Sequence, residues 1–351
     1  MNELNEYQHT TADWRAVLKK NKRRSNIVIG AFILIYLSVG FLFDLYLSSN
    51  IYPDASLQDL SKALITFSIT PVATLITSTI ALFSLSITFM FHDRLMLLGT
   101  EYQEITSTYA GDLKTQQLYH VIEEMKVAAG LHYMPKVYII QADYMNAFAS
   151  GYSEKSAMVA ITRGLLEKLD REELTAVMAH ELSHIRHLDI KLTLMASVLA
   201  NLLVMLLDVL FYSVLFSGGS RRNSDREGNG QYLFILIMIL RYVLPLITIF
   251  LMFFLSRSRE YMADAGCVEL MRNNEPLARA LLKIQGDHET HREEYNAAYQ
   301  QTPHEATRRQ AYIFDPIQAG IEAKNALSDA FSTHPGIEKR LKALGFTSKN
   351  T

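Results

Sequence analysis

Four long apolar blocks constrain this chain more than any other feature. Residues 27–43 (IVIGAFILIYLSVGFLF) and 64–91 (opening LITFSIT, closing ITFMF) hold no charged side chain, and residues 192–216 and 231–255 hold one each, Asp208 and Arg241. Helices of soluble proteins average about 11 residues and keep a polar face. Blocks this long and this uniformly apolar match instead the roughly 20 residues that carry a helix across ~30 Å of hydrocarbon. Four membrane-spanning helices are expected, the alternative being two spans plus a hairpin over 192–255 that does not fully cross. The second pair is joined by SGGSRRNSDREGNG, a Gly- and Ser-rich polar linker suited to lie outside the bilayer. Asp208 and Arg241 fall at matched depth on either side of it. An isolated charge in hydrocarbon is costly, so the two are expected to pair and pin the third span to the fourth.

Charge distribution sets the expected orientation. Lys19, Lys20, Lys22, Arg23 and Arg24 precede the first block, whereas Asp44, Asp54 and Asp59 follow it with only Lys62 among them. The positive-inside rule places the N-terminus in the cytoplasm, and no A-x-A-like site follows the block, so it reads as an uncleaved anchor. With four spans, 92–191 and 256–351 share that side; three arginines in the linker oppose this topology mildly. A net charge of -2 lacks the basic excess of a nucleic-acid binder. One cysteine, Cys267, excludes an intramolecular disulfide or a cysteine-rich metal knuckle. Neither GxxxxGK[ST] nor a strand followed by GxGxxG occurs, so nucleotide chemistry has no support. Any metal has to be held by histidine and carboxylate.

Between the apolar blocks, TQQLYHVIEEMKVAAG (115–130) has helical spacing, and KVYIIQ (136–141) and AMVAIT (157–162) read as strands of a small sheet. LDREELTAVMAHELSHIRHL (169–188) reads as an amphipathic helix with Asp170 as its N-cap. On it, His180 and His184 stand four residues apart, so both imidazoles leave one face about one turn apart, where a single zinc can take both. Glu181, beside them but off the metal, is placed to take a proton from a zinc-held water and pass it to a leaving amine. Catalytic zinc normally has three protein ligands and an open position. A third histidine in the metzincin pattern is excluded, because position 190 is Ile190 and His187 stands where glycine is needed. The remaining candidate is Glu260 in SRSREYMADAG, with Asp264 on the same helical face expected to hydrogen-bond a ligand histidine and fix its tautomer. The residues leave open which histidine that is. His288, His291 and His304 form a further histidine-bearing stretch, read as solvated helix and not as a second metal site.

HELSH and REYMAD with apolar spans between them, VIEEMKVAAG before PKVYII, NAFASG, LDREELTAVMAHELSHI and STHPGIEKRL (332–341) together resemble the Ste24 and HtpX group of membrane zinc endopeptidases, most closely its HtpX-type bacterial heat-shock branch. The resemblance covers nearly the whole chain. It implies a gluzincin fold, one zinc per subunit, and proteolysis of membrane proteins from a cytoplasmic face. It implies that Asn146, Ala147, Phe148 and Ala149 form the edge strand beside the metal and pair with an extended substrate backbone. It implies that His334 donates to the oxyanion and that Arg340 orients the site.

The expectation is an α+β membrane protein: four transmembrane helices, or two plus a hairpin, with a mostly helical zincin domain containing a small β-sheet. Residues 1–26 form a cytoplasmic segment, 27–91 the first two spans, 92–191 the first catalytic part with HExxH, 192–255 a transmembrane hairpin, and 256–351 the second catalytic part with the third ligand. The expected activity is zinc-dependent cleavage of membrane or unfolded polypeptides in the bacterial inner membrane, in protein quality control or heat stress, with the lipid bilayer and polypeptide substrates as partners and no nucleic acid. The rivals are a site-specific processing protease of the Ste24 branch and a zinc-binding membrane scaffold that does not cleave.

Overall fold

A computed structural model describes residues 3–9, 13–97, 101–106, 112–217, 229–301, 311–319 and 334–349. His304, Ser332 and most of the 217–230 linker lie outside them. The chain divides into two compact units: a mixed unit of residues 1–25, 89–192 and 253–351, and an apolar unit of 26–88 and 193–252. Four helices are long and apolar enough to cross a membrane, over Trp14–Ile51, Val72–Phe91, Asp189–Phe216 and Tyr232–Met271. Mostly helical structure with small sheets and four candidate spans is the expected fold class.

The apolar unit takes in most of α1 (Trp14–Ile51) and α3 (Val72–Leu97), all of α2 (Leu57–Ile65), and the apolar stretches of α7 (Asp189–Ser217) and α8 (Asn229–Met271). Many of its large side chains, among them Leu34, Phe83, Leu246 and Phe250, are exposed, as lipid-facing residues are. Residues 64–91 are not one helix. Chain geometry breaks the block at Thr66–Pro71: Phe67 takes a left-handed φ of 57°, and Pro71 disfavours helix in the residue before it. The second span therefore starts at Val72, and α2 is a separate amphipathic helix capped by Ser56. Asp44 of α1 caps the start of α3, accepting from Ala73 N (2.7 Å), Thr74 N (2.9 Å) and Thr74 Oγ1 (2.6 Å). Asp208 and Arg241 do pair, at 3.0 Å, and the guanidinium also lies 4.0 Å from the Phe211 ring centroid.

The mixed unit is built on a four-stranded sheet of order β2-β3-β5-β4, with β2 at Tyr102–Ile105, β3 at Lys136–Ile140, β4 at Ala147–Ser150 and β5 at Met158–Thr162. β3 and β5 run parallel and the other neighbours antiparallel, which leaves β4 at an edge. α4 (Leu113–Ala129) is capped by Asp112 and stopped by Gly130 in the left-handed region. α5 (Arg163–Lys168) leads into α6 (Arg171–Arg186), whose N-terminus is a full capping box: Asp170 accepts from Glu173 N at 2.8 Å, and Glu173 accepts from Asp170 N at 3.0 Å. α6 packs against α4, β4 and α9 (Glu275–Thr290). α10 (Arg292–Gln301) and α11 (Ile337–Leu344) complete the unit. The N-terminal segment belongs to it: β1 (Tyr7–His9) pairs antiparallel with β6 (Phe346–Ser348).

Candidate metal centre

His180, Glu181 and His184 sit in the last turns of α6, and Glu260 and Asp264 lie one turn apart on α8. Close approach of the two helices depends on Gly266, because a Cβ there would run into the Ser183 side chain. His180 Nε2 and His184 Nε2 face each other at 3.2 Å, and the Glu260 oxygens stand 3.8 and 3.6 Å from them. All three potential ligand atoms lie within 4.8 Å of one another.

The far nitrogens explain this geometry. His180 Nδ1 lies 3.1 Å from Asp264 Oδ1, and His184 Nδ1 lies 2.8 Å from Asp189 Oδ2. A carboxylate accepts, so each ring carries its proton on Nδ1. Both Nε2 lone pairs are then turned toward one another and toward a carboxylate, a repulsive set unless a cation lies between them. Two imidazoles and one carboxylate are a donor set that suits hydrolytic zinc. Burial drives the pKa of both histidines down to about 4, outweighing the pull of Asp264 on His180 and of Glu260 on His184, so both are neutral at pH 7.

Glu181 is fully buried beside the pair, and burial, then the Glu260 charge, raises its pKa well above the carboxylate range against a hydrogen bond from the Ala149 amide. For His334, burial lowers the pKa, but Glu260, whose Oε2 is 3.5 Å from Nδ1, outweighs it and raises the net value. Arg340 grips Asp264 through Nε at 3.0 Å and Nη2 at 2.6 Å, and its Nη1 donates to the Ile313 carbonyl at 2.6 Å.

With the matching of residues 112–347 to the model of peptidase family M48, two thirds of the chain is accounted for. The chain belongs to peptidase family M48. It is 36% identical over 336 residues to a "Protease HtpX homolog" of Helicobacter pylori (strain Shi470), an alignment covering 95% of this chain and 98% of that one. It is 37% identical over 258 residues to a protein of the same description from Streptococcus equi subsp. equi (strain 4047), covering 73% and 80%. The crystal structure of S. mikatae Ste24p matches 98% of this chain and 69% of its own at 18% identity and a TM-score of 0.47. This M48 chain is a multi-pass membrane metalloprotease.

Asp264, whose histidine the sequence left open, serves His180. Two residues of the cluster were missed in the sequence, Asp189 and Arg259, which form a buried ion pair. In the sequence Asp189 is one acidic residue ahead of an apolar block and Arg259 one basic residue after another, with no local pattern linking them. The candidate substrate strand is changed in part. Asn146 is buried and turned inward, its Nδ2 donating to Tyr299 Oη (3.2 Å) and the Phe314 carbonyl (3.0 Å). The Ala147 carbonyl accepts from Ile313 N at 2.9 Å, and Phe148 bridges Tyr312. The chain's own Tyr312–Phe314 thus covers the first half of this edge, a pairing across some 165 positions that no local pattern announces. His288 is not solvated: it is buried, donating from Nδ1 to the Ile284 carbonyl (2.9 Å) with Nε2 at 3.2 Å from Tyr299 Oη. It continues the Leu277, Leu281, Ile284 face of α9 that packs inward.

Proposed function

We propose that this chain is a zinc-dependent endopeptidase that cleaves membrane-embedded or unfolded polypeptides at the cytoplasmic face of a bacterial inner membrane, in protein quality control and heat stress. The observation that carries the zinc reading is the facing pair of Nε2 lone pairs, 3.2 Å apart, with Glu260 beside them. His180, His184 and Glu260 would hold the ion, and the chemistry it would supply there is Lewis-acid activation, lowering the pKa of a water toward ~7 and polarising the scissile carbonyl. Glu181 takes the proton of the attacking water and delivers it to the leaving amine. His334, whose Nδ1 lies 3.5 Å from Glu260 Oε2, donates to the developing oxyanion. Arg340 holds Asp264, and Asp264 holds the His180 ring.

Orientation rests on two facts that agree. The basic run Lys19–Arg24 favours a cytoplasmic N-terminus, and the β1–β6 pairing keeps that N-terminus with the site-bearing unit. An extended substrate would add to the β4 edge by strand addition.

The test is cleavage of casein, or of the chain itself, by detergent-purified protein stripped of metal and resupplied with zinc. Glu181→Gln is expected to keep stoichiometric zinc and lose about 10³-fold or more of the rate. Full activity in that variant would refute the reading.

A further inference from the structure

The break between α6 and α7 has a chemical consequence. α6 ends at Arg186, His187 caps it, and α7 begins at Asp189. Between them Leu188 adopts φ 53°, a left-handed conformation unfavourable for a residue with a Cβ. In an uninterrupted helix, position 189 would lie five residues, about 140° around the axis, from His184 and could not meet its ring. The turn at Leu188 swings Asp189 back, and its Oδ2 reaches His184 Nδ1 at 2.8 Å. Its other oxygen pairs with Arg259, the residue before the ligand Glu260. Both partners are almost fully buried.

The arrangement repeats the one at His180. There a carboxylate, Asp264, holds Nδ1 and is itself held by a buried arginine, Arg340. We propose that Asp189 is a positioning residue of the metal site: it fixes the tautomer and ring plane of His184 and, through Arg259, ties that ring to the helix carrying Glu260. This deepens the zinc reading and rests on it. The strained turn at Leu188 is then retained because it delivers this carboxylate. The rival role is purely structural, an ion pair locking the α6–α7 junction against α8.

Zinc affinity, measured on the full-length detergent-purified chain by competition with a chelating indicator, and the melting temperature of the metal-free chain separate the two roles. Asp189→Asn leaves Arg259 buried without its counter-charge, so it is expected to lower both. Asp189→Asn combined with Arg259→Gln removes the stranded charge and is expected to restore the metal-free melting temperature while zinc binding stays about 10–100-fold weaker than wild type. Asp189→Glu keeps the charge for Arg259 but displaces the carboxylate from Nδ1, and is expected to weaken zinc in the same direction. Wild-type zinc affinity, within about twofold, in the double variant overturns the proposal; should that variant not fold, the same result in Asp189→Glu does so. If the wild-type chain itself takes up no zinc, the reading of the metal centre fails instead.

Discussion

In the mixed unit, Glu181, Asp189, Arg259, Glu260, Asp264, His334 and Arg340 are buried around two histidines, whereas in the apolar unit Asp44 and the pair Asp208–Arg241 sit apart and each meets its need locally. Asp44 turns to the free amides at the start of α3, and Asp208 to one guanidinium. Burying several charges together is costly unless every one has a partner, and the cluster's carboxylates and bases lean on shared neighbours. A cluster of that kind sets geometry and proton affinity for chemistry; isolated pairs of the other kind hold helices in register. The same side-chain types therefore carry different jobs in the two units, and substitutions should separate activity from stability along that division.

The sharpest test of the division within the mixed unit is His334. His334→Phe should reduce kcat about 10²–10³-fold with KM and melting temperature little changed, because an oxyanion donor acts mainly in the transition state. A loss confined to KM would move His334 from the reaction to substrate binding.

A buried group of the mixed unit outside the cluster should affect stability instead. Burial holds the His288 pKa down to about 4, below its ordinary value of 6.5. Between those values the unfolded chain binds more protons than the folded one, so the contribution is complete above pH 6.5 and is lost as pH falls toward 4. The loss is on the order of 3 kcal/mol at its limit. Acid melting curves of zinc-loaded protein should be flatter over that window in His288→Gln than in wild type; parallel curves would remove His288 as the cause.

In the apolar unit, effects should be smaller and leave the chemistry alone. Asp44→Ala should cost about 1–2 kcal/mol, as loss of an N-cap does, and lower the melting temperature in detergent at unchanged kcat. Asp208→Asn and Arg241→Gln should each lower the melting temperature slightly, with the double variant less affected than the sum of the two. Additive effects would mean that the two residues do not pin the third span to the fourth, and an activity loss would assign them to the chemistry after all.

Much of this was legible in the sequence because its physics is local. Uniformly apolar blocks longer than the average soluble helix announce spans, an i,i+4 pair of histidines shares a face, and Asp170 followed by Glu173 marks a helix start. Glu260 was within reach as a candidate because two histidines leave a metal site one ligand short, and the structure groups it with them within 4.8 Å. The tertiary structure alone decided which histidine Asp264 serves, that Asp189 serves the other, that Tyr312–Phe314 takes the strand edge ahead of any substrate, and that the N-terminal strand joins the C-terminal one. Each depends on a chain reversal or a long-range contact, whose energy comes from groups far apart in sequence. At Leu188 a single left-handed residue redirects the chain, and the hydrophobic pattern reads the same whether or not it does.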